Sequence, residues 1–527
     1  MELGTLEPRG TRRIVHCSDM GSHFGNGDWL FGDPTTPEEL RSWIRAIADG
    51  GADAYVSEVY FDGLCMYYRS DRCENWDTPK YDRFRPMMDE GTMPLEIFVD
   101  EAHRQGIELI AGFRINDRHG VNKPFFKAHP DWLLKDLGHG VDYSLPEVRD
   151  WMLSIVEEVP ERFDVGGIEI NFIRHGYCFP PSIAAEQHPV MTGFLRRVRE
   201  MLDRVGAEKG RRLVFGARVP PSVGECRDLG FDLATWIAEG LIDYVAPSDY
   251  HCTDANARHE EFAEMTRASD CFLYPAVQGD VPGNTAVMSL DNLRAAAQNF
   301  YGAGADGIST HNYDVYMWGQ LRSKGYPGPA DGYPEALEYF QILRDPEAVL
   351  RGGRHYLFQP LWAEDLYGPG VRYRHLPISH VRAVVKRGDP EQRAGYRFRV
   401  CEHLPDRLDL PTDSIGRYEG IFNEAGKVPG AWLVFRAIGM MPGDEIAVDI
   451  NGQEIPTSCV RHVWYREGRP AWEGRPLPPY TECRLELTDP PARYGDNSLG
   501  LRLLKSGDWS EGDIVVDELE AIVNVRD

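Results

Sequence analysis

The chain has 527 residues, of which 42% are hydrophobic and 11% aromatic, and its formal net charge at pH 7 is −26. This length exceeds what one hydrophobic core serves, so two or three domains are expected, and the apolar content excludes a disordered or fibrous protein. The acidic balance excludes general binding to nucleic acid, which requires a basic surface.

No apolar run approaches the length of a membrane span, and the first residues lack the apolar segment of a secretion signal. The ten cysteines form no C-x-x-C pair, so no zinc ribbon or thioredoxin motif is predicted. Cys65 and Cys73 lie on one predicted loop and could pair, but scattered cysteines without a signal favour free thiols. We therefore expect a cytoplasmic protein without a membrane partner, either a monomer or a homo-oligomer.

The first 345 or so residues alternate short apolar runs with amphipathic helix patterns, beginning with a strand predicted at residues 13–18. The helix after it has Thr36 as N-cap and Pro37 at its first position, residue types that favour a helix start. Another helix is predicted to be capped by Ser144, and a last one to cover residues 334–345. The remaining strands of this part are predicted at residues 53–59, 107–113, 167–173, 212–218, 242–247, 271–277 and 306–310.

Eight alternations of strand and helix predict parallel strands joined by right-handed crossovers. At this length the sheet is expected to close, which gives a (β/α)8 TIM barrel of the α/β class. No G-x-G-x-x-G motif opens a helix after the first strand, so no dinucleotide is expected, and we predict no cofactor.

The pattern changes beyond residue 350. Short alternating strands separated by Pro, Gly and Asn turns predict an antiparallel β-sandwich, jelly-roll-like in its last strands. The prediction is therefore a catalytic barrel in residues 1–348 and an accessory domain in residues 349–527. A structural buttress or an oligomer contact is an equal alternative for the role of the accessory domain.

The active sites of (β/α)8 barrels lie at the C-terminal ends of their strands. In this chain those ends are densely polar, which is unusual for a purely structural barrel. The candidate site residues found there are Glu58, Arg114, Asn116, Asp117, Glu169, Asn171, Arg174, His175, Arg218, Asp249, Gln278, His311 and Asn312.

Glu169 is the first candidate for catalysis. It lies two residues from Asn171 on one predicted strand, so the two side chains share a face, which is the barrel interior if Ile168 and Ile170 face the helices. Glycoside hydrolysis needs two carboxyl groups, one of which acts as a general acid. The alternative role for Glu169 is an ion pair with Arg174 or Arg218.

Asp117 is the preferred second carboxylate and lies in the Arg-x-Asn-Asp run after the third strand; the alternatives are Glu58, Asp249, Asp280 and Asp19. The other candidates are predicted to bind substrate. Their arginines could clamp a carboxylate or sulfate of an acidic sugar, or else neutralise neighbouring acidic residues. The histidines near strand ends raise the possibility of a metal site, but no H-E-x-x-H motif and no His-x-His on the first strand support one, and no metal is predicted.

A resemblance to a known family is carried by six segments, residues 113–117, 129–132, 141–149, 166–174, 218–220 and 304–308. Over about residues 10–345 the chain resembles bacterial glycosyl-hydrolase-like TIM-barrel proteins, the family 10-like glycosyl hydrolases. The resemblance implies a barrel that acts on glycans. Relatives tend to have Asp where this chain has Asn171, and often Glu where it has Gln278.

The leading hypothesis is a glycosidase of carbohydrate metabolism, exo-acting on short oligosaccharides or glycosides, with Glu169 as acid/base beside a second carboxylate. The amides at positions 171 and 278 motivate a second hypothesis, a non-catalytic sugar-binding barrel. The histidines motivate a third, a lyase or isomerase of sugars.

Overall fold

The fold consists of one parallel sheet with helices, followed by two antiparallel sheets. It is taken from a computed structural model of the chain. The residues that this structure describes are 13–18, 36–61, 63–75, 84–116, 123–135, 137, 140–174, 176–249, 253–279, 288–311, 313, 335–358, 383–389, 391–404, 430–467 and 478–524.

The parallel sheet is formed by short, apolar strands. Two further strands of two residues each extend it: β3 (Leu64–Cys65) pairs with the second strand, and β4 (Glu74–Asn75) pairs with β3. The order in the sheet is β10-β11-β1-β2-β5-β6-β7-β8-β9. The strands are β1 (Ile14–Ser18), β2 (Ala54–Phe61), β5 (Glu108–Arg114), β6 (Gly167–Asn171), β7 (Val214–Val219), β8 (Tyr244–Pro247), β9 (Phe272–Leu273), β10 (Ala276–Val277) and β11 (Ile308–Thr310).

The seventh predicted strand, residues 271–277, is interrupted. Its two pieces, β9 and β10, are separated by Tyr274 and Pro275, and Pro275 has no N–H to donate. Hydrogen bonds continue across the interruption on both sides: the Tyr274 N–H donates to the carbonyl of Val245 at 2.9 Å, and the Ser309 N–H donates to the carbonyl of Pro275 at 2.9 Å. The sheet and its helices form a TIM-like α/β arrangement.

Helices follow most of the parallel strands. Thr36 caps the first of them in a capping box with Glu39, as predicted, whereas the N-cap of the helix predicted to begin at Ser144 is Leu145. In the described residues the helices are α1 (Pro37–Gly50), α2 (Arg85–Asp89), α3 (Pro94–Gln105), α4 (Lys123–Ala128), α5 (Pro146–Arg162), α6 (His188–Lys209), α7 (Val223–Asp228), α8 (Leu233–Ala238), α9 (Glu260–Thr266), α10 (Leu290–Gly302), α11 (Tyr339–Leu343) and α12 (Pro346–Leu350).

The parallel sheet has two differently packed faces. The outer face, with Ile168 and Ile170, packs into a large apolar core together with helix residues. The inner face is lined by a smaller apolar group that includes Val15, Cys17 and Tyr244. Residues two apart on a strand therefore share an environment, and a shift of one residue would exchange the two faces.

The antiparallel part contributes both its sheets to one apolar core. One sheet has the order β12-β21-β15-β19-β18 with β13 beside β21, and the other has the order β14-β20-β16-β17. The strands are β12 (Arg354–Phe358), β13 (Ala383–Val385), β14 (Ala394–Val400), β15 (Gly430–Ile438), β16 (Glu445–Ile450), β17 (Gln453–Ile455), β18 (Arg461–Tyr465), β19 (Tyr480–Glu486), β20 (Gly495–Lys505) and β21 (Ile514–Asn524).

A polar junction connects helix α10 to strand β14. The Asn299 side chain donates to the carbonyl of Arg399 at 3.0 Å and accepts from the N–H of Cys401 at 2.9 Å. Arg399 forms an ion pair with Glu260 at 3.1 Å, and His259 is buried beside it against Phe300. These side-chain bonds hold the antiparallel part in a fixed position on the parallel part.

Cys65 and Cys73 form a disulfide, which corrects the expectation of free thiols at these two positions. Residue spacing alone could not decide this, because the pairing depends on how strands β3 and β4 bring the two ends of the loop together. Among the described residues, no helix combines the length and the apolar character needed to cross a membrane.

Acid should weaken the fold through His259. Burial, with a smaller contribution from Arg399, lowers the pKa of this imidazole from 6.5 to about 3. Because the unfolded chain binds the proton first, the contribution of neutral His259 is complete above pH 6.5 and is lost as the pH falls below that value. We expect a loss of about 2 kcal/mol in the free energy of unfolding between pH 8 and pH 5.

Urea denaturation at several pH values measures this loss. His259→Gln should flatten the acid limb of the curve, whereas His188→Gln, which removes an exposed imidazole, should leave the curve unchanged. An acid limb identical in the parent and His259→Gln would contradict the role of His259.

Candidate functional site

Glu58 and Glu169 lie in one row across the inner face. The register pairs Glu58 with Gly112, and Gly112 with Glu169. Neighbouring strands lie about 4.8 Å apart, so the two backbones are about 10 Å apart. A Cβ atom at position 112 would lie 3.2 Å from the Cα atom of Glu58, so glycine permits this close packing. The next residues toward the C-terminal ends, Arg114 and Asn171, form the row above.

Both carboxylate oxygens of Glu169 accept hydrogen bonds from buried groups. Arg218 donates from Nε to Oε1 at 2.7 Å and from Nη2 to Oε2 at 3.2 Å, and the Tyr244 hydroxyl donates to Oε2 at 2.8 Å. A general acid needs an oxygen that carries its proton toward the substrate, whereas charge-assisted bonds from a guanidinium suit an ionised carboxylate. Glu169 thus forms the ion pair with Arg218 that was its alternative role in the sequence analysis. These contacts suit a carboxylate that stays ionised better than one that acts as a general acid.

Arg218 is held at every side-chain nitrogen. Besides Glu169, it donates to the hydroxyl of Ser248 at 2.8 Å and to that of Ser309 at 2.9 Å. Burial alone would lower the pKa of this guanidinium, but the Glu169 carboxylate raises it above its ordinary value. Burial raises the pKa of the nearby Cys17 thiol, because it disfavours the charged thiolate, and this thiol stays neutral. Arg218 is therefore a fixed positive charge next to Glu169.

Tyr244 reaches Glu169 because position 216 is a glycine. The register places Gly216 between Glu169 on β6 and Tyr244 on β8, and a Cβ atom at position 216 would overlap the Tyr244 ring. Sequence analysis did not single out Tyr244 or Ser309. The available signal was the alternation of strand β8, in which Tyr244 and Ala246 share the inner face; Ser248, which contacts Arg218, directly follows this strand.

Glu58 is the centre of a second polar group. It forms a buried ion pair with Arg114 and accepts a hydrogen bond from Nδ2 of Asn171 at 3.0 Å. The other amide atom of Asn171, Oδ1, accepts from the N–H of Ile173 at 3.1 Å. Arg114 and Arg218 thus each form an ion pair with a glutamate of this chain. This is the second of the two roles considered for the arginines, neutralising neighbouring acidic residues rather than clamping an acidic sugar.

Asn116 connects two loops rather than facing the carboxylates. Its Oδ1 accepts from the N–H of Val141 at 2.7 Å, and its Nδ2 donates to the carbonyls of Val141 and Tyr177. All of these partners are backbone groups, and the side chain is buried. These contacts suit a structural role, and the predicted role of Asn116 in substrate binding stays a prediction.

Four more of the predicted substrate-binding residues, Arg174, Asp249, Gln278 and His311, are buried near the strand ends. The Gln278 side-chain amide donates to the carbonyl of Asp249, which joins the ends of two neighbouring strands. Three predicted site residues, Asp117, His175 and Asn312, lie outside the described residues, as do Asp19 and Asp280.

The first of the histidines considered for a metal, His16, faces the helices. It lies 5.2 Å from the Phe340 ring and 5.8 Å from the Tyr55 ring, and its Nδ1 lies 2.8 Å from the Thr310 hydroxyl. Within the described part of the chain, no group of three or more His, Cys, Asp or Glu residues could hold a metal ion.

Glu169→Ala should lower the free energy of unfolding by about 3–5 kcal/mol, because Arg218 would keep a buried charge without its partner. Urea denaturation at pH 7 measures the loss. Glu239→Ala is the matched control: Glu239 also accepts two bonds from an arginine, Arg196, at 2.6 and 2.7 Å, but at the surface, where water screens the charges and the pair contributes little. Equally small losses in both variants would contradict the buried pair.

The model of the family glycosyl hydrolase-like 10 matches residues 23–177, less than a third of the chain. The glycosyl hydrolase YngK of Bacillus subtilis is 25% identical over 213 residues, which cover 32% of this chain and 41% of that protein. The glycosyl hydrolase DigH of Escherichia coli O6:H1 is 31% identical over 210 residues, covering 30% of this chain and 46% of the relative. The chain thus matches less than half the length of these curated relatives.

Among solved structures, the glycoside hydrolase domain of PgaB from Bordetella bronchiseptica aligns with 64% of this chain and 99% of that domain, at 13% identity and a TM-score of 0.38. A TM-score of this size supports no conclusion about fold or function. The match of residues 23–177 includes Glu58, Arg114, Glu169 and Asn171. The resemblance to glycosyl-hydrolase-like proteins predicted from the sequence is therefore confirmed: over this segment the chain is similar to the glycosyl hydrolase-like 10 family.

Proposed function

We propose that the chain is a glycoside hydrolase that acts at the C-terminal ends of its parallel strands. The observation that carries the proposal is a buried carboxylate, Glu169, held by Arg218 and Tyr244 on the inner face of the sheet. The similarity of residues 23–177 to glycosyl-hydrolase-like proteins supports the same reaction class.

The proposal includes a closed (β/α)8 barrel in residues 1–348. Strands β9 and β10 are pieces of one interrupted strand, and their pairing with β8 and β11 supports closure. For residues 349–527 we propose a jelly-roll-like β-sandwich, supported by the apolar core that the two antiparallel sheets share.

We assign Glu169 the role of the ionised catalytic carboxylate, as nucleophile or as base. This role requires a negative charge in the resting enzyme, and a guanidinium with a phenolic hydroxyl stabilises that charge. The partner carboxylate must then supply the proton to the leaving group.

Asp117 is the proposed general acid. It follows strand β5 in the sequence, and β5 pairs directly with the strand that carries Glu169. Glu58 is the alternative, because it lies two strands from Glu169 in the same row, and side chains directed to a common interior come closer than their backbones. Its ion pair with Arg114 makes it the weaker candidate for proton donation.

The remaining predicted residues form the proposed sugar-binding surface. We also propose an exo mode of action on short oligosaccharides or glycosides. Hydroxyl groups of a sugar need both donors and acceptors, which this set supplies. The set comprises Arg174, His175, Asp249, Gln278, His311 and Asn312.

A sugar-binding protein without hydrolysis is the second candidate. It is favoured by Asn171, whose amide bonds Glu58 and the Ile173 N–H, because an amide can neither carry the charge nor transfer the proton of a carboxylate.

The test is a screen of aryl glycosides and natural oligosaccharides with the parent, Glu169→Gln, Asp117→Asn and Glu58→Gln. We expect turnover by the parent and a loss of about 10³-fold or more in Glu169→Gln. Melting temperatures measured alongside separate lost chemistry from lost folding. A silent parent whose melting temperature still rises with sugars would favour the second candidate.

The leaving group separates the two carboxylate roles. A dinitrophenol leaves without protonation, so the variant that lacks the general acid should retain cleavage of a dinitrophenyl glycoside while it loses cleavage of natural linkages. We expect this split for Asp117→Asn and loss of both reactions for Glu169→Gln. If Glu58→Gln, rather than Asp117→Asn, cleaves the dinitrophenyl glycoside but not natural linkages, then Glu58 is the general acid.

A further inference from the structure

The antiparallel part exposes one tryptophan in an unusual position. Trp509 is 84% exposed, more than twice the 39% of Trp464, which is the other exposed tryptophan among the described residues. Trp509 lies in the connection between strands β20 and β21. A single exposed apolar side chain is ordinary on a protein surface. Trp509 differs from such a side chain in the rigidity of the backbone that carries it.

The indole is carried by a tight turn. The N–H of Ser510 donates to the carbonyl of Gly507 at 3.3 Å, with Asp508 and Trp509 as the central residues. Gly507 packs directly on the backbone of another turn: a Cβ atom there would lie 3.1 Å from the carbonyl carbon of Gly443. A larger residue at position 507 would push the two turns apart.

The side chain of Asp444 holds the turn through hydrogen bonds to its first and last residues. Its Oδ1 accepts from the N–H of Gly507 at 2.8 Å and from the hydroxyl of Ser510 at 2.7 Å, and its side chain is completely buried. Burial alone would raise the pKa of Asp444, but the bonds from Arg387 and from these turn groups lower it. The carboxylate is thus ionised and binds both ends of the turn.

Arg387 bonds the connection between β20 and β21 both before and after Trp509. It forms two hydrogen bonds with Asp444, at 2.8 and 2.7 Å, and also donates to the hydroxyl of Ser506 at 2.9 Å and to the carbonyl of Gly512 at 2.5 Å. The backbone that carries Trp509 is therefore held on both sides of the indole. A platform that is already ordered loses little conformational entropy when it binds a ligand.

The charges around the turn select the kind of ligand. Asp508 and Glu511 are exposed beside Trp509, and their carboxylates repel phosphate-bearing lipids and nucleic acids. The same carboxylates accept hydrogen bonds from hydroxyl groups. An indole face with flanking carboxylates therefore suits the apolar C–H face and the hydroxyls of an uncharged sugar ring.

We propose that Trp509 is the stacking platform of a second glycan-binding site, which binds an uncharged sugar ring of a polysaccharide at the antiparallel part of the chain. The choice of a glycan as ligand rests on the proposed function of the parallel part. A second site on one chain would raise the local concentration of polymer near the catalytic site.

Affinity electrophoresis of the full chain in gels that contain hydroxyethyl cellulose, xylan or glycol chitin tests the proposal. We expect at least one polysaccharide to retard the parent, and Trp509→Ala to weaken that binding about tenfold or more. Trp464→Ala should migrate like the parent, and Asp444→Asn, which loosens the turn but keeps the indole, should bind more weakly than the parent.

Glu169→Gln separates this proposal from the catalytic one, because that variant should still be retarded even if no glycoside is hydrolysed. Turnover of a soluble aryl glycoside should be equal in Trp509→Ala and the parent. Retardation that Trp509→Ala leaves unchanged, or no retardation of the parent in any of the three gels, would overturn the proposal. Binding of the parent through Trp509 to phosphatidylglycerol vesicles but to none of these polysaccharides would also overturn it.

Discussion

A buried carboxylate and a buried guanidinium on the inner face impose most of the constraints seen around the candidate site. Taking such a pair out of water costs several kcal/mol per ion, and the attraction between the two charges offsets this cost only if their remaining polar atoms are hydrogen-bonded. Glu169 and Arg218 meet this demand with Tyr244, Ser248 and Ser309. The glycine at position 216 follows from it, because a side chain there would occupy the space of the Tyr244 ring.

The same pair decides how the site can work. A carboxylate with three donors is suited to hold a negative charge and poorly suited to deliver a proton. Glycoside hydrolysis requires two carboxyl groups with different roles, so in the proposed hydrolase the proton comes from a residue other than Glu169. The glutamate in the same row, Glu58, is engaged with Arg114 in a similar way.

Arginine–carboxylate pairs also organise the antiparallel part, where Arg387 and Asp444 order an exposed turn and Arg399 with Glu260 connects the two parts of the chain. Bidentate bonds from a planar guanidinium fix direction as well as distance. An acidic chain can therefore build rigid surface features from few residues, and the rigidity of the Trp509 turn depends on this geometry.

The sequence was sufficient to predict the order of strands and helices, because apolar spacing and residues such as Thr36 and Pro37 act within a few positions. It also placed Glu169 and Asn171 on one face, since a strand alternates strictly. It could not predict that the seventh strand breaks at Pro275, that a helix begins after Leu145, or that Cys65 bonds Cys73.

The pairing of each arginine with its glutamate could be read from the three-dimensional fold alone. Arg218 lies 49 positions from Glu169, and Tyr244 lies 75 positions from it. Contacts at such separations depend on the register between strands and on the absence of a side chain at position 216, neither of which leaves a local pattern. The local sequence therefore specifies the face that a residue occupies, and the packing of distant strands specifies its partner and hence its chemistry.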